Sequence, residues 1–154
     1  MGEDLSGSLS RFELRDLCRV VGFMIPESPD YGVPGADDPV IFADIVNSLD
    51  RDTKDVRKAL AALRDSIGGD FAALDDTEAE AAVVVLLGRR ETEIVTLGRV
   101  VLQCYYRDER VLRSLGLDPA PPFPRGHSVE QGDWSLLDPV RGRAPMWRDV
   151  GGRS

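Results

Sequence analysis

The stretch ETEIVTLGRVVLQCYYRDER, residues 91–110, decides the fold class. Val100 and Val101 are adjacent β-branched residues of the kind that suit a pleated strand. The spacing argues otherwise. Ile94, Leu97, Val101, Cys104 and Tyr105 recur three and four residues apart, which lines one face of a 3.6-residue helix. A strand would place its apolar residues at every second position. Tyr105 and Tyr106 are adjacent, so on a helix they diverge by about 100°, one toward a core and one toward a rim. Asp108 then caps a short last helix that ends at Gly116.

Working upstream, Gly88–Arg90 marks a break or a kink. Before it, Asp76, Thr77 and Glu80 open another helix, with capping-box spacing between Thr77 and Glu80. The run Ala81–Leu87 is apolar nearly all round, which predicts a central, well-buried helix. Earlier still, Val56, Leu60, Leu63 and Ile67 keep helical spacing after a cap at Asp52 or Thr53, and Gly68–Gly69 end that helix. Asp38 caps a helix with Pro39 at its first position and Ile41, Ile45 and Leu49 as its buried face. At the start, Ser10 and Glu13 form a capping box and Leu9 and Leu14 a hydrophobic staple. Leu14, Leu17, Cys18 and Val21 face the core, and Pro26 stops the helix. Between the first two helices, residues 26–36 carry three prolines and two glycines and read as loop. There is no Asn-Gly or Asp-Gly hairpin turn and no internal repeat. The expected fold is therefore all-α: a multi-helix domain over residues 9–117.

Residues 118–154 differ in composition. Six prolines and five glycines exclude a long helix and favour extended geometry. Both tryptophans, Trp134 and Trp147, lie here with Phe123, Leu136, Leu137, Val140 and Met146. Disordered tails are poor in such residues. An extended, aromatic-studded arm needs a surface to lie on, either its own helical domain or another protein.

The chain of 154 residues carries a net charge of −8 and a pI near 4.7. That composition argues against nucleic acid and against anionic membrane surfaces as partners. No apolar run approaches the roughly 20 residues of a membrane helix. The polar start, Met1 to Ser10, has no leader pattern, so the chain as given reads as cytoplasmic, and as periplasmic only if trimmed or exported with a partner. Cys18 and Cys104 both fall on apolar helical faces and read as buried, reduced thiols.

Catalytic chemistry is sparse. The single histidine, His127, lies in the arm, and no G-x-S-x-G elbow accompanies it. No C-x-x-C or H-x-x-x-H spacing supports a metal. Asp50, Asp52 and Lys54 resemble the opening of a calcium loop, but Asp55 and Ala61 stand where that loop needs glycine and a bidentate glutamate. No glycine-rich phosphate cradle follows a strand. Catalytic, cofactor-binding and metal residues are thus all expected to be absent from this chain.

Several segments together resemble the gluconate 2-dehydrogenase subunit 3 family. They are Phe23-Met24-Ile25-Pro26-Glu27, Pro34-Gly35-Ala36 and Phe71-Ala72-Ala73-Leu74, then the segment Cys104 to Val111 with Leu115-Gly116, and finally Gln131 to Val140. The likeness spans about Leu9 to Trp147. It departs from the family in lacking an export leader and in having Glu109 where proline is common. The resemblance implies a helical small subunit without a cofactor of its own. Its partner would be a large glucose-methanol-choline-type flavoprotein subunit that carries FAD and oxidises a sugar or polyol. The residues expected to meet that partner are Tyr105, Tyr106, Phe123, Trp134, Leu136, Leu137, Pro139 and Trp147. The alternative is a stand-alone helical ligand-binding or protein-interaction module.

Overall fold

Ser10 opens the first helix with a complete capping box: its hydroxyl accepts from the Glu13 N–H at 3.3 Å, and its own N–H donates to the Glu13 carboxylate at 2.7 Å. In this computed structural model, which describes residues 8–121, 123, 126 and 130–144, helix α1 runs Arg11–Met24 and ends just before Pro26. Helix α2, Pro39–Asn47, is capped by the Asp38 carboxylate, which accepts from the Val40 and Ile41 N–H groups. Helix α3, Thr53–Ile67, ends at Gly68, whose φ of 67° is the left-handed conformation that glycine adopts without steric penalty. Helices α4 (Asp76–Leu87), α5 (Thr92–Tyr105) and α6 (Glu109–Ser114) follow. Among the described residues the only strand-like pairing is an isolated bridge between Ser28 and Val33 in the loop before α2. The protein is all-α.

The described chain divides into a helical unit ending at Pro119 and a second unit beginning at Ala120. In the helical unit α3 is central. It pairs most extensively with α5 and also touches α1 and α4. Val56, Ala59, Leu60 and Leu63 of α3 are fully buried. They meet a core supplied by Leu17, Val20 and Val21 of α1, Ile41 and Ile45 of α2, and Ile94, Leu97, Val101 and Cys104 of α5. Each large aliphatic side chain so buried contributes roughly 1.5–3 kcal/mol. The α5 stripe read from the sequence is buried along its whole length.

Backbone is also held from the side. Arg19 lays its guanidinium 5.2 Å from the Phe71 ring centroid and donates to the carbonyls of Phe71 and Leu74 at 2.8 and 2.9 Å. This pins the short 3-10 turn Phe71–Ala73 against α1. Gly35 admits no side chain, because a Cβ there would strike the Asp37 carboxylate and lie 3.0 Å from the Glu27 nitrogen.

Four expectations need correction. α4 is not wrapped by core: Ala79, Val83 and Leu86 are buried, but Val84 and Val85 are 63% and 61% exposed. A helix apolar all round carries no sequence signal for which face turns inward, and this one lies at the edge. Its capping box is Asp75 with Glu78, two residues earlier than Thr77 with Glu80, and both reciprocal bonds form. At α3 neither Asp52 nor Thr53 caps by its side chain, because a 3-10 turn, Asp50–Asp52, runs straight into the helix. The Asp52 carboxylate takes Arg99 instead, at 2.6 Å. Finally, Cys104 is buried but Cys18 is only half-buried.

Within the second unit, Asp133 caps a 3-10 turn, Trp134–Leu137, which passes into a single turn of helix, α7, at Asp138–Arg141. Among its described residues the proline-rich arm is therefore interrupted by one short helical stretch. Among the described residues, no helix is long and apolar enough to cross a membrane.

Candidate partner-binding surfaces

The corner between α5 and α6 is built by consecutive side chains with separate tasks. Tyr105 is 4% exposed, and its hydroxyl donates to the Pro34 carbonyl at 3.2 Å, tying the loop before α2 to α5. Arg107 clasps Asp44 of α2 with two parallel bonds and adds a third, at 2.6 Å, to the Ser48 hydroxyl. Asp108 caps α6 through the Arg110 N–H. The Arg110 guanidinium then bridges Asp108 and Asp38, the cap of α2. Hydrogen bonds from Arg110 hold both carboxyls below the usual carboxylate range, against the opposing effect of burial. The segment Cys104–Arg110 thus fixes α2 and its preceding loop onto α5. Tyr105 belongs to this scaffold rather than to a surface.

Tyr106 does the reverse. It is 52% exposed and packs edge-on against Tyr105, with ring centroids 5.3 Å apart. With Tyr31, Val33, Val111 and Leu115 it lines an apolar hollow of about 240 Å³. Tyr31 and Leu115 stand exposed at its margin. Sequence reading did not single out Tyr31, and it named Leu115 within the resembling segments but not as part of a surface. An aromatic residue placed in a Pro/Gly-rich loop was the available signal, but its partners come from a distant helix.

In the second unit every described residue from Ala120 onward is exposed. Trp134 is 61% and Leu136 74% exposed, with Leu137, Val140, Pro139 and Phe123 also open to solvent. The turn that presents them is set locally. The Asp133 carboxylate accepts from the Ser135 N–H at 3.0 Å and from its hydroxyl at 2.6 Å, and these bonds lower the Asp133 pKa. The Trp134 indole N–H donates to the Gln131 side chain at 3.2 Å. The indole therefore has its polar edge satisfied and its apolar face free. Trp147 and His127 lie outside the described residues.

A second concavity, a groove of about 470 Å³, runs between α1 and α2, lined by Leu14, Cys18, Asp37, Pro39, Phe42 and Val46 among others. Burial, helped by the nearby Asp37 charge, pushes the Cys18 thiol up, and burial does the same for Cys104. Both thiols stay protonated at neutral pH and are poor nucleophiles. Among the described residues no cluster of His, Cys, Asp or Glu is arranged to hold a metal ion. Comparison with family models, with curated proteins and with solved structures finds no match to this chain.

Proposed function

We propose that this chain is a non-catalytic small subunit that assembles with, and stabilises, a large FAD-dependent oxidoreductase subunit acting on a sugar or polyol. The chemistry and the flavin belong to that glucose-methanol-choline-type partner. The observation that carries the reading is the apolar set Trp134, Leu136, Leu137 and Val140, held by its own turn and left open to water. Aromatic anchors of this kind dominate interfaces when a partner desolvates them. The second support is the family resemblance of the segments ending in Gln131 to Val140.

The test is purification of the tagged chain from its native source. The expected product is a stoichiometric complex with a larger chain that shows flavin absorbance and sugar or polyol oxidation. A chain recovered alone, or with a partner devoid of flavin, removes the proposal. The groove between α1 and α2 favours a second reading, a ligand-binding module for a small apolar molecule. That reading requires a ligand that raises the melting temperature of the isolated chain and loses its effect in Phe42→Ala.

A further inference from the structure

α4 turns a row of apolar side chains to solvent: Ala81, Val84, Val85 and Leu87. Acids precede this row at Glu78 and Glu80, and Arg89 and Arg90 follow it. Among the described residues Glu80, Arg89 and Arg90 enter no ion pair. The order acid, apolar, base along one helix complements itself when two copies run antiparallel. A two-fold interface repeats each contact twice.

We propose that a second copy of this chain covers this face, with the two α4 helices packed antiparallel about a two-fold axis at Val84. Equal offsets from that axis set Ala81 of one copy opposite Leu87 of the other, and Glu80 opposite Gly88. Glu80 then lies one to two residues, roughly 1.5–3 Å along the axis, from Arg89 and Arg90 of the other copy. That offset is well within the reach of an arginine side chain. Ala81 and Gly88 are small and allow the helices to approach closely. Antiparallel packing also sets each helix N-terminus beside the C-terminus of its mate, which suits their dipoles. Three turns of helix make a small interface, so the dimer is expected to dissociate on dilution within the concentration series.

Sedimentation equilibrium of the purified full chain, over a concentration series at low and high salt, tests this. A monomer–dimer equilibrium is expected, weaker at high salt. Val84→Glu raises the dissociation constant by about tenfold or more. Because Val84 already faces solvent, the variant keeps the helical circular dichroism of the parent. Glu80→Arg alone and Arg89→Glu with Arg90→Glu each weaken the dimer, and the three changes together restore it. A chain that stays monomeric throughout overturns the proposal. So does a dimer indifferent to Val84→Glu, which some other surface must carry. A triple variant that stays folded but does not recover the dimer excludes the antiparallel register and overturns it as well. No flavoprotein is present in this experiment, so its failure leaves the subunit reading untouched.

Discussion

Asp16 lies on the inner side of α1 with 2% of its surface exposed, and two arginines reach it. Arg15 bonds one carboxylate oxygen at 3.1 Å and Arg64 of α3 the other at 3.1 Å. A carboxylate this buried is tolerable only because both oxygens are charge-paired. Truncating it strands Arg64 at the α1–α3 contact. Asp16→Ala is therefore expected to destabilise the helical unit by about 3 kcal/mol, read as a fall in the denaturant midpoint at unchanged slope. Arg110 poses a pH question. It holds Asp38 and Asp108 below their ordinary range, so their folded pKa values lie under the unfolded ones, near 4. The stability this contributes is present above that unfolded value and lost as pH falls through the folded one. The three side chains are partly exposed, so Arg110→Ala should lose only about 1 kcal/mol at neutral pH. The gap between parent and variant should close as pH drops from about 5 toward 2. A gap that persists at acid pH would show that Arg110 acts through packing instead.

At the scale of the element, capping decides where helices begin, and α4 offers a direct comparison. Asp75 with Glu78 and Thr77 with Glu80 have the same spacing, yet the helix uses the first pair. The earlier start adds backbone hydrogen bonds, and Asp75 sits in the extended conformation an N-cap requires. Asp75→Ala should cost about 1 kcal/mol, whereas Thr77→Ala, inside the first turn and exposed, should change the thermal midpoint very little. Equal losses would restore the later start. The same helix shows what spacing can and cannot tell. Periodicity placed the buried stripes of α2, α3 and α5, and Leu17 and Val21 of α1, whereas Leu14 and Cys18 of the α1 stripe are only half-buried and the enclosed Val20 was not part of it. Each of those helices has a polar face to contrast with an apolar one. Ala81–Leu87 has no such contrast, so its burial depended on neighbours that local sequence does not name. Arg107 and Asp44, or Tyr105 and Pro34, are likewise joined only by the fold. The Cys104–Arg110 segment was legible as important, but its work as a clamp on α2 was not.

At the scale of the molecule, the two units differ in how they bury apolar surface. The helical unit encloses a core of buried aliphatic side chains across six helices. The second unit, in its described residues, encloses none. The change of composition at Asp118 was visible in the sequence because proline and glycine forbid long helices there. The turn at Trp134–Arg141 was not, because it depends on the Asp133 cap and on only eight residues of helical backbone. Removing residues 118–154 separates the two possible roles of this segment. None of the core residues of the helical unit lies beyond Val111, so the truncated chain is expected to keep its cooperative unfolding, with a thermal midpoint within a few degrees of the parent. If the segment is the anchor for a flavoprotein, the same truncation abolishes co-purification. Trp134→Ala in the full chain should then weaken binding by about 2 kcal/mol, roughly thirtyfold, while leaving the melting curve unchanged. A truncated chain that unfolds would make the segment part of the fold. A truncated chain that folds and still holds its partner at full strength would move the interface to the helical unit, where the hollow between Tyr31, Tyr106 and Leu115 is the next surface to alter.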